Sequence, residues 1–240
     1  MRQPGEGAVV VVTGASTGIG RATAVTLADA GYHVFAGVRK ESDGEALTEL
    51  SRGTLTPLLI DVTDSVAVAE AAERVDRVVG DRGLAGLVNN AGIGLTSSKW
   101  ALASITEALR LELRPWAIRV GLIEPASIST DAVGKAEAEA EQVLQRLDDV
   151  QRARYGATYR TMIDRAVGRE KNGSSPQVVA DLILRVLTIT TPKARYLAGR
   201  DARRLAFLAR WLPDGLFDHL RLRLFGLPTQ FGGPKRHREP

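Results

Sequence analysis

The sequence predicts an α/β fold: a doubly wound parallel sheet with helices on both faces. Short, continuously apolar runs recur along the chain, longer segments of helical pattern separate them, and a glycine-rich turn, Thr13-Gly14-Ala15-Ser16-Thr17-Gly18-Ile19-Gly20, follows the first run at once. A strand covered on both faces needs apolar side chains on both, so the unbroken valines before Thr13 suit a central parallel strand. At 240 residues, 44% hydrophobic and 25% charged, the chain has the length for one such domain with a substantial core.

Strands are expected at Ala8 to Val12, Tyr32 to Ala36, Leu58 to Ile60, Leu84 to Val88, Ile118 to Ile123 and Arg195 to Ala198. Helices are expected at Gly20 to Ala30, Asp64 to Val79, Lys99 to Leu113, Ala136 to Val150 and Pro176 to Leu187. In the Lys99 helix, Leu102, Ile105, Leu109 and Leu113 step by three, four and four, which predicts a buried apolar face. Composition shifts after Gly199. Between Arg203 and Phe225, Phe207, Leu208, Trp211, Leu212 and Phe217 interleave with Arg204, Arg210, Arg221 and Arg223. That pattern suits a basic amphipathic helix pair on a membrane surface, a lid over a cleft, or a contact with a second subunit. Gly232 to Pro240 reads as a frayed tail.

Several function classes are excluded on composition. Without cysteine there are no disulfides, thiolate metal sites or cysteine nucleophiles. His33, His219 and His237 lack ligand spacing, so no metal is expected. A net charge of +4 with only 5% aromatic residues argues against a nucleic-acid partner. No apolar run reaches the roughly 20 residues that span a bilayer, and Met1-Arg2-Gln3-Pro4-Gly5 opens no cleavable signal, which makes the cytoplasm the expected location.

Gly14, Gly18 and Gly20, with Ser16, Thr17 and Ile19 between them, can turn backbone N–H groups and a helix N-terminus toward a pyrophosphate, or serve only a tight turn. Val38-Arg39-Lys40 ends the second strand with no acid to hold a ribose 2′-hydroxyl and a guanidinium able to grip a 2′-phosphate, so NADP(H) is favoured over NAD(H). The same charges could simply be solvated. Asp61-Val62 follows the third strand and Asn89-Asn90-Ala91-Gly92 the fourth. Ser97-Ser98-Lys99 comes a few residues later, and Glu124-Pro125-Ala126-Ser127-Ile128-Ser129-Thr130 follows the fifth strand.

These blocks resemble the short-chain dehydrogenase/reductase family, and Tyr196-Leu197-Ala198-Gly199-Arg200-Asp201-Ala202 is similar to its steroid and retinol dehydrogenase members. The resemblance implies a Rossmann-like domain over 1–200, including a substrate flap at about 131–175, followed by an apolar and basic helical extension over 201–240. It implies oxidoreduction of lipophilic alcohols and ketones, with cofactor contacts at Gly14, Ser16, Thr17, Gly18, Ile19, Gly20, Arg39, Asp61, Val62, Asn89, Ala91, Gly92, Lys99, Pro125 and Thr130. For Asp61 the alternative role is capping the next helix, for which Asp64 is better placed.

The family protonates its substrate with a tyrosine one helical turn before a lysine, and steadies it with a serine. Lys99 matches the lysine, but position 95 is leucine. By resemblance a helix, a strand and the catalytic loop are absent between Gly94 and Lys99, a unit for which about 30 residues or more are needed. The expectation is six strands instead of seven, with the Ile118 to Ile123 strand beside the fourth. Thr96, Ser97 and Ser98 are far weaker acids than a phenol, so Lys99 stands as a remnant of the catalytic set. Ala126 replaces the glycine usual after Pro125. The chain is expected to bind nucleotide with impaired catalysis; the alternative is a non-catalytic protein that binds a nucleotide or a partner. The family's dimer surface draws on the missing helix, which leaves homo-oligomerisation open.

Overall fold

The computed structural model describes residues 7–92 and 96–228. The chain divides into two compact units. One holds the described residues through Ala126 together with Ser174–Gly199; the other holds Ser127–Gly173 and the described residues from Arg200 onward.

In the first unit, β1 (Val9–Val12), β2 (His33–Val38), β3 (Leu55–Leu59) and β4 (Gly86–Val88) form a parallel sheet in the order β3-β2-β1-β4. Val10 of β1 pairs with Val34 on one side and Gly86 on the other, and both Val10 and Val12 are fully buried. The continuous valine run is thus covered on both faces. On one face Val9, Val11, Phe35 and Leu58 pack with Ala71, Val75 and Val79 of α3 (Ser65–Val79). On the other lie α1 (Gly18–Asp29) and α8 (Gln177–Thr188), packed against each other, with Gln177 Nε2 donating to Thr26 Oγ1 at 2.8 Å. α2 (Glu41–Leu50) lies beside β3, where Gly44 makes room for Pro57.

β3 starts earlier than expected, at Leu55, because Pro57 does not interrupt it: β3 is an edge strand, where a missing N–H costs no ladder bond. The third helix is capped by Asp64, whose carboxylate accepts from Val66 N at 2.9 Å and Ala67 N at 3.3 Å.

Six strands form among the described residues, but in two sheets. The fifth runs Leu122–Pro125 (β5), later than expected, and pairs in parallel with β6 (Arg195–Ala198) and not with β4. The three residues of β4 offer a short edge, whereas β6 satisfies the ladder of β5 over four residue pairs. Leu87, which shares the face of Val11, is 54% exposed, since no described helix covers it.

The expected apolar face of α4 (Thr96–Glu112) is also uncovered. Leu102, Ile105 and Leu109 are exposed, Ile105 by 55%, while Ala103 is buried. The periodicity is real, but no described element closes over this face. What ties α4 to the small sheet is polar: Glu107 accepts from Arg195 Nε at 3.2 Å, and Arg195 also reaches Glu124 at 3.4 Å. After α4, a 3₁₀ turn at Arg114–Trp116 ends with Ala117 in the left-handed region at φ 58°.

In the second unit, α5 (Ala132–Arg146) packs on α7 (Ala157–Lys171) through Glu141–Arg160 and Glu137–Lys171 ion pairs, each 2.7 Å long. The helix expected to run to Val150 breaks at Leu147, because Asp148 caps a new one-turn helix, α6 (Asp149–Gln151), in a capping box. A π-helical turn at Arg152–Gly156 leads into α7. Of the two helices that follow, α9 (Ala202–Trp211) is amphipathic, whereas α10 (Asp214–Phe225) spreads its apolar and basic residues around the helix and packs on α7. The expected tail at Gly232 to Pro240 lies outside the described residues. Among the described residues no helix is long and apolar enough to cross a membrane.

Candidate nucleotide site

β1 ends at Val12, and the turn after it is stitched to the loop after β4. Thr13 N donates to Val88 O at 3.0 Å, and Thr13 Oγ1 accepts from Asn90 N at 3.0 Å and Ala91 N at 3.1 Å. The Asn90 amide donates to Thr13 O at 3.0 Å and Gly14 O at 3.1 Å. Gly14 sits at φ 65°, and a Cβ there would lie 2.8 Å from Ala91 Cα. A Cβ on Gly20 would run into Gly14 O and the Asn90 amide. Both glycines are therefore demanded by close approach, and Gly18, at φ 58°, by conformation.

Thr17, at the N-cap of α1, makes no side-chain capping bond, so its hydroxyl satisfies none of the first N–H groups of that helix. Ser16, Thr17 and Ile19 are half-buried around this opening. Ala15 N donates to Gly37 O at 2.8 Å, fixing the turn beside the end of β2, after which Arg39 and Lys40 stand exposed. Asp61 follows β3. Its Oδ1 accepts from Thr63 N at 2.9 Å and Thr63 Oγ1 at 2.7 Å, and these bonds, helped by the charge of Arg39, hold its carboxyl below the ordinary value. Val62 beside it is exposed. Asn89, Ala91 and Gly92 follow β4, with open space where a Gly92 Cβ would stand. The glycine turn, Arg39, Asp61 and the Asn89 loop thus all follow the C-terminal ends of four parallel strands, the edge at which open α/β sheets bind ligands.

The other expected residues are not assembled in this way. Lys99 is exposed on α4, Pro125 ends β5, and Thr130 belongs to the second unit, where its carbonyl accepts from Val133 N at 3.2 Å. Leu95 lies outside the described residues. No tyrosine of the first unit substitutes for the missing phenol at the nucleotide edge. Tyr32 is buried before β2, at the opposite end of that strand from Arg39, and burial pushes its phenol pKa up. Tyr196 accepts from Lys193 N at 2.7 Å. Asn90 was not singled out from the sequence; its signal is a short amide in the loop after the neighbouring strand, whose NH₂ carries two donors for two adjacent carbonyls.

The family model for short chain dehydrogenase matches residues 8–96 and 94–141. The chain belongs to the short-chain dehydrogenase family. The two matched segments meet at 94–96, between the Asn89 loop and Lys99. Among the relatives, the NADPH-dependent 3-dehydrocapnine reductase of Ornithobacterium rhinotracheale is 28% identical over 277 residues, covering 88% of this chain and 94% of that protein. The mouse (Mus musculus) 17-beta-hydroxysteroid dehydrogenase type 6 is 27% identical over 289 residues, covering 92% and 90%. Both alignments are longer than the 240-residue chain, so these short-chain dehydrogenases carry residues that this one lacks. The solved structure of L-sorbose reductase from Gluconobacter frateurii, complexed with NADPH and L-sorbose, superposes with a TM-score of 0.59 at 20% identity, over 82% of this chain and 97% of that one. Members of the short-chain dehydrogenase family are oxidoreductases that bind a nicotinamide nucleotide and a small-molecule substrate.

Proposed function

We propose that this short-chain dehydrogenase binds NADP(H) in preference to NAD(H) and comes from a lineage acting on lipophilic alcohols and ketones, with its own turnover impaired. The observation that carries the nucleotide reading is the clamp of Thr13 and Asn90, which holds Gly14 and the start of α1 open toward the strand ends. Arg39, with no acid at the end of β2, supports the phosphate preference, as does the name of the NADPH-dependent relative. Gly14, Ser16, Thr17, Gly18, Ile19 and Gly20 would face the pyrophosphate, Asp61 and Val62 the adenine, and Asn89, Ala91, Gly92, Lys99, Pro125 and Thr130 the nicotinamide half.

When bound, the nicotinamide supplies or accepts the hydride. The chain must move the proton, and Leu95 can neither donate one nor be polarised by Lys99. Loss of the general acid costs about 100-fold to 10,000-fold, and loss of the serine adds to that. Titration with NADPH and NADH, followed by fluorescence, should show saturable binding tighter for NADPH. Steady-state assays with steroid and retinoid ketones should show turnover at least 100-fold below the usual range of about 1–1,000 s⁻¹. Ordinary turnover would overturn the impairment, and absence of nucleotide binding would overturn the whole reading in favour of a partner-binding protein.

A specific observation favours membrane contact as a second property. Phe207 and Trp211 of α9 lie one turn apart with ring centroids at 6.3 Å, are 64% and 69% exposed, and are flanked by exposed Arg203, Arg204 and Arg210. Aromatic rings bordered by cations suit the boundary between headgroups and acyl chains.

A further inference from the structure

Some arginines of this protein stand singly and pair with acids: Arg77 with Glu73, Arg110 with Glu107, Arg160 with Glu141, Arg221 with Asp218. One place in the second unit gathers four others. A cavity of about 490 Å³ is lined by Arg165, Arg169, Arg200 and Arg223, with Asp201 as the one carboxylate among its lining residues. Guanidiniums gathered around one concavity repel each other, and an anion bound among them relieves that repulsion.

Two of the four are held in place by main-chain carbonyls. Arg165 Nη1 donates to Arg223 O, at the end of α10, at 2.6 Å, and Arg200 Nη2 donates to Asn172 O, just past α7, at 3.2 Å. Capping a helix end explains why a cation sits there, but it uses few of the five N–H donors of each guanidinium. Arg169, half-buried in the cavity wall, pairs with none of the protein's described carboxylates, and neither does Arg223. A second cavity of about 430 Å³ shares Arg165 and Arg223 and continues along Ala157, Leu227 and Pro228, so the basic wall borders a partly apolar one.

We propose that this cavity binds the oxyanion of a small molecule, a phosphate or a carboxylate, with Arg169 and Arg223 as its principal donors and Arg165 and Arg200 as pre-oriented supports. The planar guanidinium fork matches both anions, and orientation by carbonyls lowers the entropy lost on binding. None of these residues belongs to the glycine turn.

The test uses the full chain and two probes in isothermal titration: inorganic pyrophosphate for a phosphate source, and laurate, below its micelle concentration, for a carboxylate on an apolar tail. Three proteins are compared: the unmodified chain, the double variant Arg169→Gln/Arg223→Gln, and the charge-matched control Arg77→Gln/Arg110→Gln. Saturable binding of either probe that weakens at least tenfold in the first double variant and less than twofold in the control supports the site, and the probe that binds names the source. Absence of binding by both probes to the unmodified chain overturns it. So does binding equally strong in both double variants, which is the result expected if pyrophosphate sits only at the nucleotide turn. Should Arg169→Gln/Arg223→Gln lose its cooperative melt, Arg169→Ala alone is read by the same criterion, with at least a threefold loss required.

Discussion

Asn90 makes the plainest residue-scale case. Its amide satisfies two carbonyls of the glycine turn at 3.0 and 3.1 Å, and Asn90→Ala leaves both without that donor. The variant should lose about 1–3 kcal/mol of stability, read by urea unfolding, and bind NADPH more weakly because the turn is no longer held. Ala117 points the other way. At φ 58° it bears a left-handed cost of about 1–2 kcal/mol that glycine escapes, offset in part by glycine's greater freedom in the unfolded chain. Ala117→Gly should therefore raise the thermal midpoint by a few degrees. His33 gives a pH signature. Burial lowers its imidazole pKa below the ordinary value, and Nε2 bonds to Thr56 Oγ1 at 2.8 Å while the ring stacks on Phe35 at 4.8 Å. A group with a depressed folded pKa contributes stability that is complete above the unfolded pKa of about 6.5 and is lost as pH falls through the folded pKa. The midpoint should drop between pH 7.5 and 5.5, and His33→Gln should flatten that slope.

At the scale of elements, α4 separates pattern from partner. Its Leu102, Ile105 and Leu109 repeat is helical and apolar, yet the face is exposed, so Ile105→Lys should cost no more than about 0.5 kcal/mol in urea unfolding, against several for a buried isoleucine. A large loss would show that a covering element exists. The same contrast explains what could be read before the structure. The apolar run of β1, the spacing of Gly14, Gly18 and Gly20 and the Asp64 cap are written in residues a few positions apart, so they are legible locally. The pairing of β5 with β6, the exposure of Leu87 and the role of Asn90 depend on groups brought together from 70 or more positions away, as the Thr13 to Asn90 separation of 77 illustrates. No periodicity carries that information. The early start of β3 is likewise non-local: Pro57 is tolerated within it because the strand lies at the sheet edge.

For the molecule as a whole, the question is whether a chain shorter than its relatives couples nucleotide binding to folding. The four-stranded sheet keeps its two apolar layers, with Val10, Val12, Val34 and Leu27 fully buried, and the glycine turn, Arg39 and Asp61 all hang on the ends of those same strands. A ligand gripping that edge binds only the folded sheet, so its binding energy adds to stability by mass action. At a free NADPH concentration 100 times its dissociation constant the gain is about 2.7 kcal/mol, which for a chain of this size moves the melting temperature upward by roughly 5–11 °C. NADH at the same concentration should move it less, and Arg39→Ala should bring the two nucleotides together by weakening NADPH alone, since a ribose with a free 2′-hydroxyl has no phosphate for the guanidinium to grip. Equal shifts with both nucleotides in the unmodified chain would remove Arg39 from the site, and a cooperative melt that neither nucleotide moves would mean that the sheet folds without a working binding edge.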